Sequence, residues 1–439
     1  MKENRVIRVR IRNYISVEFF IVLLYLILDL VQVLILISFR TFTGDFFPFE
    51  VGLSNKTIWF LFFIQVIIYI ITFKFYSKFI KRRYLINVTI GLNKNLYKAI
   101  DYYFLIILLI YIMLFLSGHI TPAEAHRVDI INSIISNTIP LGTIWQIYFF
   151  LNRGKGNKML YFFNNMLFTF FSLATGWTGF LFYIFVFELY FRCKQKIELK
   201  YFLFTPIAFL FGAFLYQYIY PFKETIRTGA AINLNIQPIP FEISTSYLLS
   251  RLSVFSNIVA AVQYKEKILI ALNYIYDSEN FLILRIFNLT CDSSWISNAL
   301  KLMVHSVFTY LGYASAVFKD GYVISSEHVV SFGSPFLSVA YLLLSYNILQ
   351  FILYILVLVS AVLFIKGIFD IFKDRNVYFI FFLNLIYFVH ESGEISIAFF
   401  RQVIAYFIFF LILLLLKTFQ NILKNRRKGE SGREIIHIS

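Results

Sequence analysis

Charge is scarce in this sequence. Asp, Glu, Lys and Arg make up 15% of its 439 residues, against roughly 25% in a soluble domain. With 59% hydrophobic residues and 20% aromatic ones, folding in water would leave apolar surface that no core could cover. A soluble globular chain is excluded and a bilayer is implied. Cysteine is scarcer still. Cys193 and Cys291 are the only two, and they fall in segments assigned below to opposite membrane faces. That rules out a disulfide between them and leaves no zinc site. The motifs of soluble enzymes are missing as well: there is no Walker P-loop, no Gly-rich dinucleotide fingerprint after a strand, no GxSxG and no HExxH. Any reaction must therefore draw on energy stored in its substrate or in a gradient.

What is present is a series of apolar runs. Arg5, Arg8, Arg10 and Arg12 precede a run over 15–39 that is longer than a signal-peptide core and has no small-residue cleavage site after it. It reads as a first spanning helix with a cytoplasmic N-terminus. Further spans are expected at 57–80, 101–118, 134–151, 159–174, 177–191, 201–219, 338–365, 377–390 and 398–416. Most suit a hydrocarbon core of ~30 Å, which takes ~20 helical residues; the fifth, sixth and ninth are short. The expected fold is thus an all-α polytopic membrane protein of about ten to twelve spans.

The net charge of +16 follows this layout. Most of the 40 Lys and Arg residues lie in the segments assigned to the cytoplasm, in Lys81-Arg82-Arg83, the Arg153–Lys158 loop, Arg192–Lys200 and a basic tail with Lys424, Arg426, Arg427 and Lys428. The positive-inside rule accounts for that bias, so no nucleic-acid partner is needed. Both termini are placed in the cytoplasm. Three regions follow: an N-terminal bundle of about seven spans over 1–220, one large outer loop over 221–333, and about three further spans with the basic tail over 334–439. Within the loop, 302–318 is apolar enough to dip into the membrane, and 257–276 has an amphipathic pattern.

Polar residues concentrate in that outer loop. Arg227, Arg251 and Arg285 offer planar forks of donors suited to phosphate oxygens, which points to a lipid-linked diphosphate just above the membrane. Arg227 and Arg251 stand in segments of few charges, TIRTG and LLSRLS. Glu242, His305 and Glu327 are candidates for a general base toward a hydroxyl. For each of these residues the competing reading is an ordinary solvated charge, or for His305 a buried structural histidine. Ionisable residues inside spans are costly unless paired or facing a wet cavity. Asp29 lies mid-span, Glu18 and Glu188 lie near cytoplasmic ends, and Arg401 sits a turn inside the last span, shortly after His390-Glu391-Ser392-Gly393-Glu394. Pairing between helices competes with a functional role for Asp29 and Arg401.

The stretch Leu173-Ala174-Thr175-Gly176-Trp177-Thr178-Gly179-Phe180, followed by an apolar helix ending Glu188-Leu189-Tyr190, resembles the O-antigen polymerase (Wzy-type) family of bacterial inner membranes. Its glycines permit a tight outer-face turn, and Trp177 suits the membrane boundary. The many spans, the long outer loop late in the chain and its Arg-containing RLS segment resemble that family too. The spaced Arg–Gly motifs of some members do not recur at Arg227, Arg251 or Arg285.

The resemblance implies a GT-C-like fold and a metal-independent, cofactor-free glycosyltransferase. It would move a growing glycan from undecaprenyl diphosphate to a new lipid-linked repeat unit on the periplasmic side. It implies that Arg227, Arg251, Arg285 and Arg401 face the diphosphate, and that a chain-length regulator and a flippase are partners. An O-antigen ligase shares the architecture, but the histidine–glycine pattern of ligases is not recognisable after the loop. A lipid-linked oligosaccharide flippase would show two similar halves and short loops.

Overall fold

The structure, a computed structural model, describes residues 14–43, 49–80, 93–120, 135, 139–177, 179–193, 196–227, 237–253, 255–264, 348–370, 377–386, 405–419 and 422; for some helical residues, Arg227 and Arg251 among them, it describes the backbone alone. The described chain is mostly helical. In order come β1 (Tyr14–Ser16), α1 (Val17–Phe39), α2 (Asn55–Phe75) with a π-helical turn Tyr76–Ile80, α3 (Lys94–Leu116), α4 (Leu141–Asn152), α5 (Lys158–Ala174) and α6 (Phe180–Arg192). Then follow β2 (Lys196–Glu198), a 3₁₀ turn Leu199–Phe204, α7 (Thr205–Arg227), α8 (Phe241–Leu252), α9 (Phe255–Gln263), α10 (Ile348–Asp370), α11 (Tyr378–Ile386) and α12 (Ala405–Phe419).

Among the described residues three helices are long and apolar enough to cross a membrane: Val17–Phe39, Asn55–Phe79 and Lys94–Leu116. Each begins at a side chain that takes an otherwise bare backbone N–H. Ser16 Oγ accepts from Phe19 N, Ser54 Oγ from Thr57 N, and Asn93 Oδ1 from Leu96 N. α4 starts at Leu141, after Pro140, and its 12 residues rise ~18 Å, less than a hydrocarbon core. Ahead of it in the 134–151 run only Ile135, Ile139 and Pro140 are described, with Ile139 N donating to the Ile135 carbonyl at 2.8 Å. The 13-residue α6 is similarly short.

Polarity is distributed inside out. Phe60, Phe63, Ile71, Met113 and Leu116 lie on outward faces, each more than half exposed, while Glu18, Asp29, Gln32, Gln65, Asp101, Asn152, Asn164, Lys366, Asp370 and Asn384 are buried. A soluble protein would show the reverse, and an apolar surface of this extent marks contact with lipid or protein.

Two devices fix one end of the bundle. β1 and β2 pair antiparallel, with Tyr14 opposite Glu198 and Ser16 opposite Lys196, which ties the start of α1 to the chain after α6. Beside them Arg153, after α4, forks onto Glu188 of α6 at 2.6 and 2.9 Å, its guanidinium 4.3 Å from the Phe191 ring centroid. Glu188 is thus an ion-pair partner. Both side chains are about one-third exposed, so screening limits the gain. Arg153→Lys keeps the charge but loses the fork and the flat face. Its expected cost is at most ~1 kcal/mol, read as a small drop in thermal midpoint in detergent. Cys193, capping α6, is half-buried, and burial raises its thiol pKa, so it stays protonated at neutral pH. Cys291 lies outside the described residues.

α7 continues past Pro221 to Arg227, beyond 219, where the hydropathy ends the span. Proline has no N–H to offer the carbonyl four residues back, here that of Gln217. Ile239 N donates to the Gln217 carbonyl instead, at 3.2 Å, and Gln217 Nε2 returns a bond to the Ile239 carbonyl at 2.8 Å. The segment entering α8 thus completes what the proline leaves open.

Candidate functional site

From Ile239 the chain folds back along α7. Gln217 meets Ile239, the Ala213 carbonyl accepts from Ser244 Oγ, and Gly212 faces Leu248. Partners rise along α8 as they fall along α7, so the helices run antiparallel. Gly212 permits this approach: a Cβ there would lie 3.3 Å from Leu248 Cδ2. α8 stops at Ser253, whose backbone is extended at φ −141° and ψ 127°. α9 then climbs between α1 and α2, with Phe255, Ile258, Val259 and Ala260 fully buried and Phe255 edge-on to Phe62 of α2. So the described part of 257–276 belongs to a buried helix that ends at Gln263.

The break between α8 and α9 sits against the middle of α1. Breaking a helix leaves carbonyls without donors on one side and N–H groups without acceptors on the other, and burial makes each bare group costly. Gln32 meets one of each. Its Nε2 donates to the Ser253 carbonyl at 2.7 Å, and its Oε1 accepts from Ser256 N at 2.7 Å. One turn along α1, Asp29 Oδ1 accepts from Ser253 Oγ. Ser256 Oγ donates to the Thr43 carbonyl and accepts from Thr43 N. At the far end Gln263 pins α9 to the α1–α2 connection, its Oε1 accepting from Gly52 N at 2.8 Å and its Nε2 donating to the Glu50 carbonyl at 3.0 Å. Asp29, Gln32, Thr43, Ser253 and Ser256 are all buried.

The residues expected to carry chemistry are placed as follows. Glu242 is exposed in the first turn of α8, eleven residues before Ser253 and so ~16 Å from the break along the helix. Arg251 is the penultimate residue of α8, two positions ahead of Ser253, and Arg227 is the last residue of α7. Because the helices are antiparallel, their backbones stand ~25 Å apart along the pair. Arg285, His305, Glu327 and Arg401, with the 302–318 segment and the His390–Glu394 turn, lie outside the described residues. Among the described residues no three His, Cys, Asp or Glu side chains gather as a metal would need.

Asp29 is paired between helices, one of the two readings its mid-span position allowed. Gln32, Ser253 and Ser256 went unrecognised in the sequence. The usable signal was Gln32 three residues after Asp29, on one face of an otherwise apolar helix.

The Gly176–Gly179 turn joins α5 to α6. Gly176 has φ +74°, a conformation glycine adopts without strain. Trp177 is 37% exposed and lies edge-on to Phe168. Its ring also fills the space above Gly142 of α4, where a Cβ would come within 2.9 Å. The turn thus locks α4, α5 and α6 together. No family model, no curated protein and no solved structure matches this chain.

Proposed function

We propose that this chain is a multi-pass glycosyltransferase of the bacterial inner membrane, with about ten spans and both termini cytoplasmic. In this reading it polymerises oligosaccharide repeat units carried on undecaprenyl diphosphate, at the periplasmic face. The observation that carries the reading is the fold-back of α8 and α9. An enzyme acting on a lipid-anchored headgroup needs polar groups seated inside an apolar body. In this reading α8 and α9 supply them: the segment folds in along α7, turns on Asp29 and Gln32 at the middle of α1, and folds out again between α1 and α2. Irregular backbone of this kind is tolerated within a membrane only where protein covers it or water reaches it.

In this mechanism an acceptor sugar hydroxyl attacks the anomeric carbon of the growing chain. The bond from that carbon to the diphosphate oxygen breaks, and the lipid diphosphate leaves. Glu242, His305 or Glu327 takes the hydroxyl proton, and arginine meets the charge that gathers on the leaving group. Of the four arginine candidates Arg251 is the one carried on the fold-back. Arg227, at the opposite end of the α7–α8 pair, cannot share a single diphosphate with it.

The test is the lipopolysaccharide ladder of a strain lacking the gene. Core carrying a single repeat unit is expected, with every longer band lost and restored by the gene on a plasmid. Bare core with lipid-linked polymer accumulating would make the chain a ligase. Bare core with single units held on the cytoplasmic face would make it a flippase, and an unchanged ladder would overturn the glycan reading altogether.

A further inference from the structure

The Gln32 amide spans the α8–α9 break, holding the last carbonyl side of one half-helix and the first N–H side of the other at 2.7 Å each. Asp29, a turn away on the same face of α1, holds the side chain of Ser253. Few residue types can serve in this way, because the position needs one donor and one acceptor on a single planar group. α8 is continuous from Phe241 to Leu252, so whatever fixes Ser253 also fixes the backbone of Arg251. We infer that Gln32 and Asp29, on the first helix, are positioning residues of the fold-back and set where Arg251 stands relative to the lipid diphosphate. The inference rests on the polymerase reading for its chemistry, and on the fold-back alone for its geometry.

Two readouts separate those two supports. The geometric one uses Gly52→Cys with Gln263→Cys in a Cys193→Ser, Cys291→Ser background, joined by a short thiol-reactive cross-linker, since Gly52 N and Gln263 Oε1 are 2.8 Å apart. The cross-link should form with Gln32 present and weaken in Gln32→Leu and Gln32→Glu. The glutamate retains an acceptor for Ser256 N but sets an oxygen against the Ser253 carbonyl. The functional readout is polymerisation in membranes. Gln32→Leu should lower kcat by about a hundredfold, the scale of a misplacement near 1 Å, with little change in KM for the lipid-linked repeat unit. Asp29→Leu should behave alike, and Asp29→Asn, which still accepts from Ser253 Oγ, should restore most of the activity.

If Gln32→Leu leaves both cross-link and polymer unchanged, the inference is wrong. It is equally wrong if the cross-link weakens while kcat stays the same, or if KM rises in place of the kcat loss. Should Gln32→Leu fail to reach the membrane, the Asp29→Leu and Asp29→Asn pair decides in its place. An unchanged ladder in the deletion strain would remove the polymerase reading while leaving the cross-link result intact.

Discussion

Lys366→Met is expected to destabilise the protein by about 3–5 kcal/mol, the cost of leaving one partner of a buried ion pair behind. Lys366 and Asp370 lie one turn apart on α10, and neither side chain has any accessible surface. Lys366 Nζ donates to both carboxylate oxygens, at 2.7 and 2.8 Å, and lies 5.5 Å from the Tyr378 ring centroid. Tyr378 of α11 donates its hydroxyl to Asp370 Oδ1, and Tyr76 after α2 donates to the Tyr378 carbonyl at 3.1 Å. The pair therefore lies where three segments meet, and removing the cation takes from a buried carboxylate the donor shared by both of its oxygens. Replacing both, Lys366→Met with Asp370→Leu, should recover most of the loss, because the desolvation penalty of two charges disappears with them. The measurement is the thermal midpoint of purified protein in detergent for each single and the double. Costs that simply add would show that the two side chains act independently.

How much of this could be read from the chain depends on where the polar groups sit. α1, α2 and α3 were legible because each is a long apolar run, although α3 begins at Lys94, ahead of the 101–118 stretch, after the capping Asn93. Asp29 stood out because a carboxylate at mid-span is costly. Its partner did not, because Ser253 lies over two hundred residues away and nothing local in LLSRLSVFSN marks it as buried. The limits of α7 were hidden for a related reason. Pro221 reads as an end to the helix, and only Ile239, supplied from a distant stretch, lets it continue. The fold-back was likewise illegible, since hydropathy assigns 241–263 to a loop when its burial depends on docking against α1, α2 and α7. Of the candidate site, the sequence singled out Arg251 and Glu242 but not Gln32, whose contacts exist only once that segment is broken and docked. Lys366 falls beyond the span expected to end at 365, and its burial follows from Asp370 one turn along α10 and Tyr378 of α11.

The second large effect is expected at the opposite kind of residue, a glycine. Asp101 of α3 is fully buried and gathers three donors: Tyr148 Oη at 2.9 Å and Asn152 Nδ2 at 2.7 Å on one oxygen, and Asn157 N at 2.9 Å on the other. Asn164 Nδ2 adds a bond to the Asp101 carbonyl. One carboxylate thus holds α3 to α4 and to the turn that leads into α5. Asp101→Ala should cost about 1–3 kcal/mol for each donor it leaves bare, making it among the most damaging single changes in the chain. Gly156, in that turn, comes so close that a Cβ would lie 2.5 Å from Asp101 Oδ2 and 3.2 Å from Asn152 Nδ2. Gly156→Ala must therefore push the carboxylate off its donors, at a cost of about 1–3 kcal/mol for the crowding alone. The two changes should not add. With Asp101 already cut back to alanine the space above Gly156 is open, and Gly156→Ala should then be nearly neutral. Thermal midpoints of the two singles and the double decide the matter: an equal cost of Gly156→Ala in both backgrounds would mean that the carboxylate is not what keeps a side chain out of that turn.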